Sequence, residues 1–300
     1  MPFQDLPIQL ERTSMNIRIK TESFWSTATV LLVLGLMFVS NTRADMLISP
    51  TRAALDTENN RQTELVLRNT SDGLRTYRLS WEDKRVIDTK GTYKPIADGE
   101  NWPSAAGMIR FSPRQITVGP GENQTVRLSL RPPADLEPGE YRSHLRLQVV
   151  AEESEPSGVM EMEDPNREGV AFKLFMQMSF SIPVVVRHQI GVPEVAISNI
   201  KVVPAEGDDR RMSLEVELTR TGEASSYGEI VVEMQKDRNS PVERIGRKKG
   251  VYLFHETGRK IVNVPLRDQR VPPQSYIRVA YEGIDEYEGK LWDEKIFQSE

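Results

Sequence analysis

The sequence predicts an all-β protein built as two β-sandwiches joined by a short hinge, and three observations predict it. No segment after residue 45 carries a sustained apolar stripe at helical spacing. Alternation over short runs recurs instead, punctuated by Pro, Gly, Asn and Asp. A connector at residues 188–194, HQIGVPE, carries Gly191 and Pro193 and divides the strands into two unequal groups. Short strands at regular intervals with such turns fit sandwiches better than an alternating βαβ sheet.

In chain order, the amino terminus comes first. Residues 25–39, WSTATVLLVLGLMFV, follow a segment with Arg18 and Lys20, and Ala44 offers a small residue before Asp45. A basic flank, an apolar run of about 7–15 residues and a small-residue exit are the parts of a secretory signal. The run is shorter than the roughly 20 residues of a bilayer span. Residues 1–44 are therefore expected to be a cleavable export signal, with Met15 as an alternative start and an uncleaved anchor as the competing reading.

The first sandwich is expected over residues 45–188. Thr63–Arg68 is followed by the turn cluster Asn69–Gly73, and Thr76–Trp81 then alternates Tyr77, Leu79 and Trp81. The turn Gly119–Asn123 leads into Gln124–Arg131, where Val126, Leu128 and Leu130 share a face. Tyr141–Val150 aligns Leu145, Leu147 and Val149. Residues 151–169 hold seven acids, two prolines and two glycines and read as a solvated loop. A carboxylate-lined Ca²⁺ site is the sharper alternative, but the spacing matches no EF-hand loop.

The segment from Phe172 to Val186 is the most informative. Phe172, Leu174, Met176, Met178, Phe180 and Ile182 take every second position, opposite Lys173, Gln177, Ser179 and Ser181, with Phe175 as the exception. Such a strand would be ~50 Å long, beyond the usual strand of a small domain. One sandwich has difficulty covering that many large apolar side chains, so some of them are expected to meet a partner. Methionine at the centre offers an adaptable surface, or fills gaps in an ordinary core. After the hinge at residues 189–194, the second sandwich is expected over 195–300. Its clearest strands are Ser213–Leu218, Glu229–Met234, Lys260–Val264 and Tyr276–Tyr281.

The composition narrows the chemistry. The chain of 300 residues has no cysteine, three histidines and a formal net charge of -5. There is no thiolate, no Cys-ligated metal and no basic field to attract nucleic acid. His255-Glu256 begins an H-E-x-x-H pattern, but Arg259 stands where the second histidine belongs. Arg244–Gly250 is the one basic cluster and reads as a turn before a strand at Val251–Phe254. Trp81, Trp102 and Trp292 read as packing residues. No catalytic constellation, cofactor site or metal site emerges, and the protein is read as a non-enzyme.

Residues 48–187 resemble the amino-terminal domain of the PapD-like periplasmic pilus-assembly chaperones. Ile48–Asp56 (ISPTRAALD) resembles that family's first strand, with an arginine one residue after a threonine. Phe111–Gln115, Pro120-Gly121-Glu122 and Thr125–Leu128 resemble its Pro…Pro-Gly…Arg-Leu stretch. Leu136–Leu145 (LEPGEYRSHL) and Val184–Arg187 fall on its Leu-Pro…Arg/Glu-Ser segment and its long last strand. The second domain resembles the family only in position and β-character.

The resemblance implies two immunoglobulin-like domains set in an L, and a chaperone of the periplasm. Such a chaperone inserts its last strand into pilus subunits that lack one, by β-augmentation. The implied partners are pilus subunits and an outer-membrane usher, with no nucleic acid and no lasting membrane insertion. Donor positions fall on Leu174, Met176 and Met178, flanked by Phe172 and Phe180. The family anchors the subunit's terminal carboxylate on two basic residues, and one of them falls on Arg52. The other falls on Pro183, which has neither charge nor N–H. Arg187 matches a hinge arginine that pairs with acids across the domains, and Arg142 stands where one of those acids is expected. The departures imply a divergent member with altered anchoring, or a chaperone-like domain put to another use. The competing class is a secreted structural or adhesive β-sandwich that is itself part of a fibre.

Overall fold

The computed structural model describes residues 46–150, 160–162, 172–174, 179–203, 212–237, 239–267 and 271–299. The export signal expected at residues 1–44, Met176 and Met178 lie outside the described residues. No helix among the described residues is long and apolar enough to cross a membrane.

The chain up to the hinge contains β1 (Met46–Ser49), β2 (Ala53–Asp56), β3 (Gln62–Asn69), β4 (Arg75–Glu82), the short pair β5 (Lys84–Val86) and β6 (Tyr93–Pro95), β7 (Ile109–Ser112), β8 (Gln115–Val118), β9 (Asn123–Leu130), β10 (Gly139–Val149), the second short pair β11 (Met160–Met162) and β12 (Phe172–Leu174), and β13 (Ser179–His188). One sheet runs β1-β3-β9-β7 and the facing sheet runs β2-β13-β10-β4-β8. The alternation read from the sequence sets the inner faces: Leu65, Leu67, Tyr77, Leu79, Val126, Leu128, Leu145 and Leu147 are buried in one core. Asn69 closes its turn through side-chain bonds to the Gly73 and Val118 carbonyls at 2.7 and 2.8 Å.

The second sandwich pairs the sheet β14 (Val195–Val203), β15 (Ser213–Arg220), β18 (Arg259–Pro265) with the sheet β17 (Glu243–Leu253), β16 (Ser226–Gln235), β19 (Tyr276–Gly283), β20 (Leu291–Gln298). Its core, from Val195 to Tyr281, shares no member with the first.

Three expectations change. The basic cluster Arg244–Gly250 is part of β17 and not a turn. Its run of charge is tolerated because β17 is the end strand of its sheet and Lys248 and Lys249 point to solvent. Residues 151–169 are not wholly loop: Met160-Glu161-Met162 pairs antiparallel with Phe172–Leu174. The long strand is described as two separate ladders, that pair and β13, with residues 175–178 between them outside the described residues.

The two sandwiches meet through a small apolar cluster and a buried ion pair. Val86 on β5, Val185 on β13 and Phe254 just after β17 are buried together, with Tyr93 and Tyr252 against them. Val185 faces this cluster because Val184 and Val186 turn into the first core. Beside the cluster lies Arg142, whose residue is 0% exposed. It pairs with Glu256 of the second sandwich through both terminal nitrogens, with Nη1–Oε2 at 3.1 Å. Arg142 Nη2 also donates to the Lys84 carbonyl at 3.1 Å, and its guanidinium lies 3.7 Å from the Phe254 ring centre. Glu256 Oε1 accepts the Val86 N–H at 2.9 Å. Removing one member of a buried pair leaves the other charged and unmatched. Arg142→Ala is expected to lower unfolding stability by about 3–5 kcal/mol in chemical denaturation; a loss below about 1 kcal/mol would contradict this account of the seam.

Candidate functional site

A crevice of about 320 Å³ lies where the sandwiches meet. Arg52, Lys84, His144, Ser181 and Pro183 line it from the first sandwich, and Tyr227, Gly250 and Tyr252 from the second. Arg52 occupies the point where the chain leaves β1 in one sheet and enters β2 in the other. That switch carries its side chain between the sandwiches, where the residue is 5% exposed. Arg52 Nη1 is paired with Glu286, and the guanidinium lies 4.7 Å from the Tyr227 ring centre. Its Nε and Nη2 are buried without a hydrogen-bond partner. Those two nitrogens form the side-on edge of the guanidinium, which matches the two oxygens of a carboxylate.

The other positions implied by the resemblance distribute unevenly. Pro183 lines the crevice but contributes no charge. Lys84, which the sequence reading did not single out, lines the same crevice from β5. Its Nζ lies 3.3 Å from Ser181 Oγ and 2.8 Å from Glu82 Oε2. Lys84 is more than ninety residues from Ser181 in sequence, so only the fold brings them together. His144 is 2% exposed and opposite Pro183 in the β10–β13 register. Neither of its ring nitrogens has a partner, and its ring stands edge-on to Tyr93 at 5.2 Å. Burial, with Arg142 and Lys84 nearby, pushes the imidazole down to about 3, so it is neutral across the physiological range.

Phe172 and Leu174 lie on β12, and Phe180 is half-buried against its own sandwich, 6.5 Å from the Tyr77 ring centre. Beyond Phe180 the inner face continues with Ile182, Val184 and Val186, all buried. The outer positions Ser179 and Ser181 are exposed. On one side β13 pairs with β10 along nearly its whole length, from Ser179 to His188. On the other it pairs with β2 only over Val184–Arg187. Among the described residues, the edge from Ser179 to Pro183 therefore has no strand beside it, and it runs into the crevice.

Arg187 closes the far end. Arg142 stands where the resemblance implied an acid, and Arg187 pairs instead with Glu140, two residues earlier on β10, and with Glu286 of the second sandwich. Period-two alternation keeps Glu140 and Arg142 on the same face of β10, so a shift of two residues preserves the direction of the side chain. Arg187 Nε donates to Glu140 Oε2 at 3.2 Å and Nη1 to Glu286 Oε1 at 3.3 Å, with the Tyr287 ring 5.1 Å away. Glu140 also accepts the backbone N–H of Ser225 at 3.1 Å and the Ser225 hydroxyl. Glu286 is thus shared by Arg187 and Arg52, which links the seam to the crevice. Among the described residues, no cluster of His, Asp and Glu could hold a metal ion.

Burial raises the Glu140 pKa, but His255, Arg187 and Ser225 outweigh it and pull the carboxyl from 4.5 down to about 2. A depressed carboxylate stabilises the fold above its unfolded value and loses that contribution as pH falls toward the folded one. The stability difference between the native chain and Glu140→Gln is therefore expected to be constant from pH 7 to 5. It should shrink by about 3 kcal/mol between pH 4.5 and 2. Denaturation curves across that range check this, and a difference that stays flat would contradict it.

No family model matches the chain, and no curated protein matches it. Solved structures do align with it at low identity. The Pseudomonas aeruginosa CupB2 chaperone is 11% identical, with 84% of this chain and 98% of that one covered and a TM-score of 0.39. The chaperone–tip adhesion subunit pre-assembly complex CsuC–CsuE, from archaic chaperone-usher Csu pili of Acinetobacter baumannii, gives 15%, 85%, 98% and 0.38. The Salmonella enterica SafA pilin in complex with the SafB chaperone gives 11%, 86%, 98% and 0.39. The two-sandwich architecture of this chain rests on its own strand order and its two separate cores.

Proposed function

We propose that the protein is a periplasmic, non-catalytic chaperone that holds pilus subunits by donating the segment leading into its last strand, until an outer-membrane usher takes them over. The observation that carries this reading is the unpaired edge of β13 from Ser179 to Pro183, which ends at a crevice containing a buried, half-satisfied arginine. An extended partner strand added there gains ladder hydrogen bonds along the edge and covers a template for aggregation. The sequence motifs of residues 48–187 support the same reading.

The division of labour follows the alternation. Phe180 and Ile182 face the chain's own core, which leaves Leu174, Met176 and Met178 as the donor side chains, flanked by Phe172 and by Phe180, where core and donor face meet. Burying three such side chains is worth roughly 1.5–3 kcal/mol each. Association and ordering cost about 4–15 kcal/mol. Side chains alone barely offset that cost, so ladder bonds of about 0.5–1.5 kcal/mol each and a fixed anchor are required. Arg52 is the proposed anchor, with its side-on edge receiving the carboxylate that ends the subunit chain. Arg187 with Glu140 and Glu286 holds the sandwiches at the angle that keeps the crevice open.

Met176→Glu places a charge in the apolar donor face and is expected to abolish recovery of subunits from periplasmic extract, while circular dichroism and the unfolding midpoint stay unchanged. Normal capture by that folded variant would overturn the reading. Arg52→Ala is expected to weaken capture at least about tenfold, the loss of one charge-assisted pair. Equal binding at low and moderate salt would exclude an anchor at Arg52.

A further inference from the structure

We propose that Met160–Met162 (β11) is a place-holder for the subunit: in the free protein it occupies an edge of Phe172–Leu174 (β12), the start of the donor segment, and it leaves when a subunit takes that segment up. This rests on the reading of the protein as a strand-donating chaperone and adds a contact within the chain that sets how readily a subunit is captured.

The pairing is specified by sequence and register. Met160 stands opposite Leu174, Glu161 opposite Lys173 and Met162 opposite Phe172 in an antiparallel ladder. Directly opposed residues of such a ladder lie on one side of it, and successive positions lie on opposite sides. The register therefore sets the four apolar residues on one side and the acid and the base together on the other. A slip of one residue would bring Glu161 opposite Leu174 or Phe172, so the charged pair fixes the register.

The ladder is also built to be broken. It has three residue pairs, and among the described residues neither strand has a further partner. A two-stranded ladder of that size is marginal in water. Pro156 and Pro165 stand on either side of Met160–Met162 in the sequence, and proline is poorly tolerated inside a ladder, so β11 cannot grow far. A strand that fills a gap in a sheet is flanked on both edges, so a subunit and β11 compete for the same backbone groups of residues 172–174. The subunit's ladder can extend toward the open edge of β13 from Ser179 to Pro183, and the longer ladder displaces the shorter.

Until then the place-holder protects the segment. Large apolar residues alternate from Phe172 onward, and an open edge of that kind is a template for aggregation. A short strand that carries an acid is one way to blunt such an edge, and β11 belongs to residues 151–169, which hold seven acids.

The chain has no cysteine, so a disulfide can be placed across this ladder alone. Glu161→Cys with Lys173→Cys puts two thiols at opposed positions, within the Cα separation that a disulfide spans, and alters no proposed donor residue. The probe is the pilus subunit that co-purifies with the native protein, unfolded in denaturant and diluted into each form. The double variant is expected to cross-link on oxidation and then to capture the subunit at least about tenfold less than the same variant reduced. Glu161→Lys, which sets two lysines opposite each other, should speed capture severalfold, and adding Lys173→Glu should return it to the native rate. Unfolding midpoints check that each variant is folded. Failure to cross-link, equal capture by the oxidised and reduced forms, or an unchanged rate in Glu161→Lys would each overturn the place-holder, while capture by the native protein leaves strand donation standing. Recovery of no subunit with the native protein would remove the strand-donation reading itself, and the place-holder with it.

Discussion

The buried Arg142–Glu256 pair is the contact on which the rest of the structure depends. A guanidinium cut off from water is tolerable only when a carboxylate matches its charge and most of its other hydrogen-bonding groups are met; Arg142 Nε alone is left without a partner. Here the Lys84 carbonyl and the Val86 N–H meet two of those groups. The pair therefore does more than join β10 to the second sandwich: it pins the β5–β6 hairpin between them. Phe254 lies under the guanidinium, and Val86, Val185 and Phe254 pack beside it. An apolar contact alone would tolerate sliding, whereas directional bonds from both sandwiches specify one placement.

The crevice inherits its geometry from that seam. Its lysine is on the pinned hairpin, its arginine is on the strand switch between β1 and β2, and Glu286 ties that arginine to Arg187 and so to Glu140. Strand β13 passes through all of it with two different faces. Its inner residues fill the first core, and its outer residues Ser179, Ser181 and Pro183 leave room for Lys84 and for a neighbouring strand. Pro183 has no N–H to give, and on its β2 side β13 is paired only from Val184 onward.

The strands with strict alternation, such as Thr63–Arg68 and Gln124–Arg131, were legible in the sequence because one face of each is buried and the other wet. Strand β17 was not legible, since Arg244–Lys249 has no apolar alternation and its strand character comes from pairing with β16. Strand β20 was hidden for the same reason: it is an end strand with mostly exposed residues. Within the site, Arg52 could be read from a local motif and Arg187 from its place after three valines. Lys84 and His144 could not, because their meaning comes from what faces them across the sandwiches. The acid at Glu140 was missed by a shift of two residues, which a strand absorbs without changing the face it presents. A signal was available there: a Glu on the same face of the same strand as Arg142.

The central claim is that the segment entering β13 becomes a strand of another protein. Hydrogen–deuterium exchange on the purified complex of this protein with a captured pilus subunit tests it most directly, by comparing the backbone amides of residues 172–180 with those of the protein alone. Strong slowing across that segment, continuous with the protected ladder of β13, is the expected result. Unchanged exchange at residues 172–180 in a complex that is otherwise intact would contradict strand donation.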